Sequence, residues 1–314
     1  MIPTIDDVKA AAERIKGIAV RTPLIRNDAL DAATGAKVWV KAENLQRGGA
    51  FKMRGAANAI GALSPEVRAR GVIAFSSGNH AIAVSTVAKL YGIPATIVMP
   101  SDSPQIKLET TRGNGADVVT YERINESREA IGERLLREKG GSLIKPFDDP
   151  MIVAGQGTAG LEIGEEITPD VLLVQASGGG LSTGCALALP NTRIIAVEPQ
   201  GHEDIARSLE AGSIQRNAPG IRSICDGLLT DQMGEIPFVI ARERFDRVIA
   251  VSDEQVLRAM KFAFRNLKLV LEPSGAATLA ALLEGELDLE GQTVAIMASG
   301  GNVDAETFAR ALAA

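Results

Sequence analysis

A single lysine lies in an apolar stretch of the sequence, GGAFKMRGAANAI (residues 48–60). Surface lysines usually have polar neighbours, whereas Lys52 follows glycine, alanine and phenylalanine. Apolar surroundings disfavour the ammonium form and leave a neutral amine, which can form an imine with a carbonyl compound. Lys52 is therefore a candidate nucleophile. The alternative is a structural lysine whose aliphatic stem crosses apolar surface and whose amine reaches water.

A glycine-rich turn is the second candidate. SGGGLSTG (177–184) follows the apolar run DVLLVQA and opens a helix-like segment. Consecutive glycines let backbone N–H groups converge on an anion such as a phosphate, and a helix N-terminus adds its positive dipole end. One alternative is a tight turn that needs a single positive φ. Another is a dinucleotide site in which Glu198, about 20 residues further along, binds a ribose hydroxyl, although the spacing is not GxGxxG.

Small polar residues also follow two other apolar runs. In SSGNHA (76–81), Ser76, Ser77 and Asn79 offer convergent donors for a carboxylate. The alternative, which this motif by itself favours, is that Ser77 or Asn79 caps a helix. ASGGNVD (298–304) repeats this pattern with Ser299 and is expected to form a wall of the same cleft, or alternatively an ordinary turn.

The reactive amine and the phosphate site are most informative together. A cofactor that brings both an aldehyde and a phosphate is pyridoxal 5'-phosphate, and this pair of sites predicts it. Histidine is scarce, since His80 and His202 are the only two in the chain. Neither belongs to a paired metal motif, which argues against multi-histidine metal chemistry.

The elements that must position these residues alternate along the chain. Short apolar runs, each closed by Gly, Pro or Ser, are expected to be buried strands at 71–77, 94–100, 116–121, 170–177, 192–199, 246–252 and 293–301. Helix-length segments such as AIAVSTVAKLYG lie between them, which predicts an α/β fold with mainly parallel sheets. Residues 145–160 are the least regular stretch and separate two blocks. We expect two lobes with the ligand between them, at the carboxyl ends of strands.

The composition of the chain limits the kinds of molecule that it is expected to bind. The 314 residues are 46% hydrophobic and 23% charged, with a net charge of -6 and no polycationic stripe, which argues against nucleic acid and anionic membranes. No signal-peptide pattern or spanning apolar run is visible, and the two cysteines, Cys185 and Cys225, stand alone. A small-molecule partner and a cytoplasmic location are expected.

Ordered motifs then identify a family. The chain resembles the serine/threonine dehydratase and serine racemase family of fold-type II pyridoxal-phosphate enzymes over nearly its whole length. The motifs that carry the resemblance are RTPL (21–24), KAENLQRGGAFKMRGA (41–56), SSGNHA, VMP (98–100), DDPMIVAGQGT (148–158), SGGGL, VEP (197–199), ICDGL (224–228), LEPSGA (271–276) and SGGNVD (299–304). The resemblance implies a two-lobed α/β fold similar to the tryptophan synthase β chain. It also implies a large cofactor-binding domain of residues 1–47 and 146–314, a small domain of residues 48–145, and a homodimer.

The resemblance assigns cofactor roles. Lys52 would form the imine with the cofactor aldehyde, Phe51 would flank the pyridine ring, Asn79 would hydrogen-bond the ring hydroxyl and Ser299 would face the ring nitrogen. The phosphate would be held by Ser177, Gly178, Gly179, Gly180 and Leu181.

The same resemblance implies a reaction. Ser76, Ser77, Asn79 and His80 would bind an amino-acid substrate, and the Lys52 amine would take its α-proton before the β-hydroxyl leaves as water. The products would be a 2-oxo acid and ammonia. Ser77 matches a residue that works on the opposite face in racemases. Arg128 would reach a distal acid group, as in 3-hydroxyaspartate; the alternative is a surface arginine paired with acidic neighbours.

A divalent cation, Mg²⁺ or Ca²⁺, is implied at Glu198, the backbone carbonyl of His202, and Asp204, and the alternative is a solvated acidic loop. Ala81 and Ile82, and the continuation LLTDQMGEIPF after ICDG, depart from the racemase pattern and favour a dehydratase of threonine, serine or 3-hydroxyaspartate. The other possibilities are an amino-acid racemase, a β-replacing synthase, a nicotinamide-dependent oxidoreductase and a non-catalytic amino-acid-binding module.

Overall fold

The computed structural model describes residues 1–76, 78–122, 125–284 and 287–314. Its strands are β1 (Leu24–Arg26), β2 (Lys37–Lys41), β3 (Val72–Phe75), β4 (Ala95–Pro100), β5 (Asp117–Tyr121), β6 (Ser142–Leu143), β7 (Val171–Gln175), β8 (Arg193–Pro199), β9 (Phe245–Val251) and β10 (Thr293–Met297). Its α-helices are α1 (Ile5–Arg14), α2 (Asp28–Thr34), α3 (Lys52–Gly61), α4 (Pro65–Ala69), α5 (Asn79–Tyr91), α6 (Gln105–Gly113), α7 (Arg128–Lys139), α8 (Pro150–Glu166), α9 (Gly180–Ala188), α10 (Asp204–Ala211), α11 (Glu235–Arg244), α12 (Asp253–Phe262), α13 (Pro273–Glu284) and α14 (Ala305–Ala313).

The larger sheet has six strands in the order β1-β2-β10-β7-β8-β9. All of its neighbours pair in parallel except β1 and β2, which are antiparallel. Every residue of β7 is buried, as expected for a strand covered by helices on both faces. The last strand in the sequence, β10, therefore lies inside the sheet between β2 and β7.

The smaller sheet has four parallel strands in the order β5-β4-β3-β6. Its strands come from one continuous stretch, between β2 and β7 of the larger sheet. The mainly parallel α/β architecture predicted from the alternating runs is confirmed. The domain limits at residues 47/48 and 145/146 stay a prediction, although the sequence ranges of the two sheets agree with them.

The description of residues 145–160 as irregular was wrong. Helix α8 begins at Pro150, with Asp149 as its N-cap accepting hydrogen bonds from the amides of Met151 and Ile152. Proline at the first helical position is compatible with a helix, because the missing N–H would have no helical partner there. The glycines serve packing: a Cβ added to Gly155 would lie 2.7 Å from the Gly55 Cα of α3.

Helix α3, which begins at Lys52, is anchored by a buried ionic network. Arg54 is fully buried and pairs with Glu43 and Glu162, each at 2.7 Å. Lys41, also fully buried, binds Glu162 at 2.5 Å. Burial alone would raise the pKa of Glu43, but the Arg54 guanidinium outweighs it and holds that pKa below its ordinary value. The network therefore ties the first turn of α3 to β2 and α8.

Among the helices that the structure describes, none combines the length and the apolar composition needed to cross a bilayer.

Candidate active site

Lys52 lies in the site with its amine held by the backbone. Its Nζ donates a hydrogen bond to the carbonyl oxygen of Pro146 at 2.9 Å and lies 5.1 Å from the centre of the Phe51 ring. The residue keeps some exposure, but protein atoms crowd the amine. Burial lowers the pKa of Lys52 to about 8. A substantial fraction of the amine is therefore neutral near physiological pH, which is the form that imine chemistry requires.

His80 lies close to Lys52 and is neutral. Its Nε2 is 2.9 Å from the carbonyl oxygen of Ile144, and because a carbonyl only accepts, Nε2 carries the proton. Burial, together with the charge of Lys52, lowers the pKa of His80 to about 3. Nδ1 is buried and has no hydrogen-bond partner among the described residues. His80 can therefore offer an acceptor but cannot serve as a cationic acid at neutral pH.

The glycine turn joins β7 to α9. Gly179, with φ of 90°, is the N-cap of α9, and no side chain within the described parts of the chain caps this first turn. The N–H groups and the positive dipole end of this first turn could therefore bind an anion. A methyl group at Gly178 would overlap the ring of Phe147, so the backbone approaches that residue too closely for a side chain. Ser177 is oriented by Thr230, whose hydroxyl lies 2.5 Å away.

Asn79 begins α5, but it is not the cap of that helix. Gly78 is the N-cap, and the Asn79 carboxamide is held by the large-sheet side: its Nδ2 donates to Glu272 at 2.5 Å, and its Oδ1 accepts from Asn302 at 2.9 Å. Ser76 Oγ accepts from the Gly78 amide at 3.1 Å. The cap interpretation of Asn79 is therefore wrong. Ser77 lies outside the described residues.

Ser299 and Leu181 complete the part of the site near Phe51. Ser299 follows β10, is buried, and accepts the Phe51 amide on its carbonyl at 3.0 Å. Leu181 is buried in the apolar cluster against which Phe51 packs. Ser76 follows β3, and Ser177 and Ser299 lie just beyond β7 and β10, so these predicted residues all lie at the carboxyl ends of strands.

One backbone segment connects the lysine to the glycine turn. Pro146 binds the Lys52 amine, and its neighbour Phe147 packs on Gly178. The Lys52 amine and the glycine turn before α9 therefore contact two consecutive residues, Pro146 and Phe147. An aldehyde at the amine and an anion at the turn would lie on the same side of the site. These residues fit a cofactor that carries both groups.

Arg128, the first residue of α7, lies at the edge of this arrangement. Its guanidinium carbon is 5.3 Å from the centre of the Phe75 ring, and Phe75 directly precedes Ser76. The side chain is exposed. A cation thus stands beside the loop that we expect to bind the substrate carboxylate.

The predicted metal ligands lie beyond β8. Glu198 is fully buried and accepts from the amides of Ile205 and Ala206 at 3.0 and 3.1 Å. Each of its two oxygens therefore accepts a backbone hydrogen bond from the first turn of α10. Burial, reinforced by the charge of Asp204, raises the pKa of Glu198 to about 8, and burial raises that of Asp204 to about 6.

These burials show that the solvated-loop interpretation was wrong for Glu198 and Asp204. Asp204 Oδ2 and both ring nitrogens of His202 are buried without a partner in the described chain. Nevertheless, no cluster of three or more His, Cys, Asp or Glu side chains suited to a metal ion occurs among the described residues.

Several contacts of the site were missed from the sequence. They involve Lys107, Pro146, Asp226, Thr230, Glu272 and Asn302. Glu272 carried a usable signal, because it is a lone acid in the apolar run LVLEPSGAATLAALL, just as Lys52 is the single lysine of its stretch.

Comparisons with known proteins identify the family of the chain. Residues 15–300 match the family model described as "Pyridoxal-phosphate dependent enzyme". An L-threo-3-hydroxyaspartate ammonia-lyase of Saccharomyces cerevisiae is 44% identical over 98% of this chain and 96% of its own. The structure of maize serine racemase has a TM-score of 0.94 at 39% identity, covering 100% of this chain and 98% of that one. The threonine deaminase of T.th. has a TM-score of 0.90 at 42% identity, covering 96% of this chain and 99% of that one.

Proposed function

This chain belongs to the family of pyridoxal-phosphate dependent enzymes, and we propose that it is an ammonia-lyase that dehydrates a β-hydroxy amino acid to a 2-oxo acid and ammonia. The observation that carries the proposal is the Lys52 amine, with its lowered pKa, bound to Pro146 while the next residue, Phe147, packs on the glycine turn. When bound, pyridoxal 5'-phosphate supplies a conjugated ring that stabilises negative charge at the substrate α-carbon.

Lys52 would serve both as the attachment point and as the base. Its amine must be neutral to attack an aldehyde, and burial shifts it toward that form. With a substrate in the site, the same Nζ would take the α-proton, because its lowered pKa leaves part of the amine neutral. Pro146 supports this role by holding Nζ with a hydrogen bond.

The glycine turn would bind the cofactor phosphate. The amides of Gly178, Gly179 and Gly180, together with the N-terminus of α9, present positive charge, and Thr230 fixes Ser177 beside them. Leu181 is buried behind this turn. The ring would lie toward Phe51, Asn79 and Ser299, and the Phe51 amide donates to the Ser299 carbonyl. Asn79 would then donate to the ring hydroxyl.

Substrate carboxylate binding falls to the loop after β3. Ser76, Ser77 and the backbone N–H of Asn79 would supply donors there, with His80 the next residue in the chain. The neutral His80 imidazole offers only an acceptor at Nδ1, so His80 would contribute to carboxylate binding through its backbone N–H.

Arg128 favours a substrate with a second carboxylate. A guanidinium binds a carboxylate through two parallel N–H donors, and Arg128 stands beside the Phe75–Ser76 loop. The yeast relative is named for L-threo-3-hydroxyaspartate. We therefore propose 3-hydroxyaspartate as the preferred substrate over threonine and serine.

The test is 2-oxo acid release, as kcat/KM, for L-threonine, L-serine and the stereoisomers of 3-hydroxyaspartate. Arg128→Ala should reduce kcat/KM for 3-hydroxyaspartate roughly 10- to 100-fold and leave threonine and serine nearly unchanged. Arg134→Ala is the matched control, because Arg134 is exposed on the same helix. A uniform loss on all substrates would contradict the specificity role, and no oxo acid from any substrate would contradict the lyase.

A racemase is the second candidate. The maize serine racemase has nearly the same fold, and Ser77 matches the position expected to act on the opposite face of the substrate. Chiral analysis of the remaining amino acid decides between the two. D-amino acid formed as fast as the oxo acid, and lost in Ser77→Ala while dehydration continues, would favour racemisation as the main activity.

We further propose that a divalent cation, Mg²⁺ or Ca²⁺, binds Glu198, the backbone carbonyl of His202, and Asp204. The support is the buried, unpartnered Oδ2 of Asp204 beside a second buried carboxylate. Either ion should raise the melting temperature of the wild type, and EDTA should reverse the increase. Glu198→Gln should abolish this response, whereas Glu254→Gln, at an exposed position, should keep it.

A homodimer and a cytoplasmic location are also proposed. Sedimentation velocity at several concentrations measures the first, and fractionation of the source cells measures the second.

A further inference from the structure

A cluster of three charged residues, Lys107, Asp226 and Glu272, joins a helix of the smaller-sheet side to loops of the larger-sheet side. Lys107 of α6 binds Asp226 at 2.5 Å and lies 3.8 Å from Glu272. Lys107 and Glu272 are almost fully buried. Burial alone would lower the pKa of Lys107, but the carboxylates of Glu272 and Asp226 outweigh it and raise that pKa. The ammonium of Lys107 is therefore retained between two acids that come from the other side of the cleft.

Glu272 also accepts a hydrogen bond from Asn79, and the neighbouring hydrogen bonds fix the orientation of the Asn79 carboxamide. The Gly48 carbonyl accepts from Asn302 Nδ2 at 2.8 Å, and the same nitrogen donates to Asn79 Oδ1 at 2.9 Å. Asn79 Nδ2 must then face Glu272, which accepts one of its hydrogens at 2.5 Å. A carboxamide has two N–H donors, so one remains.

We propose that Glu272 is a positioning residue for Asn79. It fixes which end of the carboxamide faces the site and leaves the second N–H as the donor to the cofactor, while Lys107 and Asp226 hold the Glu272 carboxyl in place. This inference rests on the proposed function, in which Asn79 contacts the bound cofactor.

The backbone makes room for this arrangement at two glycines. A methyl group at Gly300 would overlap the Glu272 carboxyl oxygen that binds Asn79. A Cβ at Gly78, next to Asn79, would lie 3.2 Å from Lys107 Nζ. A larger residue at Gly300 would displace Glu272, and a larger residue at Gly78 would displace Lys107. Both glycines therefore help to keep Asn79 in its orientation.

The test compares Glu272→Ala with Glu272→Gln after reconstitution with pyridoxal 5'-phosphate. The readouts are the visible absorption band, its induced circular dichroism, and the cofactor dissociation constant. Glutamine keeps an oxygen that accepts from Asn79, whereas alanine does not. We expect Glu272→Ala to change the visible signals and weaken cofactor binding about tenfold, and Glu272→Gln to stay within about twofold of the wild type.

A merely structural role would lower the melting temperature in both variants and leave both visible signals unchanged, which would overturn the proposal. If Glu272→Ala does not fold, Asn302→Ala removes the opposite anchor of Asn79 and should give the same spectral change. Wild-type signals in Asn302→Ala would equally overturn it. Failure of the proposed function is recognised separately, because the wild type would then show no visible band at all.

Discussion

Lys52 and His80 bind backbone carbonyls of the same short segment, at Pro146 and Ile144. The lysine comes from the first turn of α3 and the histidine from the first turn of α5. The segment that accepts both bonds connects β6 to α8. The reactive amine and its neutral neighbour are therefore positioned by one strip of backbone, and a shift of that strip would move both.

Lys52→Ala is expected to remove the visible absorption band of the reconstituted protein and to lower kcat/KM for 2-oxo acid release at least about 10³-fold. The reason is the loss of both the attachment point and the base. Absorption spectra and oxo-acid assays measure these effects. Lys89→Ala, at an exposed lysine of α5, should behave like the wild type. A retained band in Lys52→Ala would contradict the assignment.

The stability of the cofactor-free protein should depend on pH through Lys52. Burial lowers the pKa of Lys52 from its ordinary 10.5 to about 8 in the folded state. Between these values the unfolded chain binds more protons than the folded one, so stability rises with pH. The gain is complete above 10.5 and is lost as the pH falls toward 8.

Urea unfolding at several pH values checks this, with Lys52→Met as the reference. The difference in unfolding free energy between wild type and variant should shift in favour of the wild type as the pH rises through this window. A difference that is independent of pH would show that the amine is not desolvated.

Arg54→Met should destabilise the protein by about 3–5 kcal/mol, because it leaves the buried Glu43 without its ion partner and removes one of the two cations that bind Glu162. The measurement is the free energy of unfolding in urea. Arg258→Met removes the exposed pair with Glu284 and should change little. Equal effects of the two substitutions would mean that burial of the Arg54 network does not matter.

Gly178→Ala should weaken binding of pyridoxal 5'-phosphate, because the added methyl group overlaps the Phe147 ring and displaces the turn. Titration of the apoprotein with the cofactor measures the change, which we expect to be at least about tenfold. Gly113→Ala is the control, since no atom lies within 4 Å of its added Cβ. Unchanged affinity in Gly178→Ala would remove the turn from the phosphate site.

Seven strands were predicted from the sequence, and all seven are present. They were recognisable because buried parallel strands are continuous apolar runs. β1, β2 and β6 were missed for different reasons. β1 and β6 have only three and two residues, and β2, KVWVK, has a lysine at each end. The second of these, Lys41, is buried by its pairing with Glu162, which no local pattern reveals.

The site was predictable where residue type alone limits the chemistry. Lys52 and the glycines of the α9 turn have unusual neighbours or backbone geometry, and both are visible in a short stretch of sequence. The contact of Asn79 with Glu272 joins residues 193 positions apart, and it depends on the packing of two sheets. Helix α8 was misread because its glycines were taken as breaks in structure, whereas Gly155 permits close contact with α3.

The central place of β10 has a consequence for biosynthesis. Ala50 forms a β-bridge with Gly300, and the Phe51 amide is held by Ser299, so one wall of the site joins an early segment to a late one. While residues near 300 are still inside the ribosome, the nascent chain has neither a continuous large sheet nor a complete lysine pocket. We therefore expect the cofactor to bind only after residues near 300 have left the ribosome. The strands of the smaller sheet are synthesised earlier, so that sheet can fold before the cofactor binds.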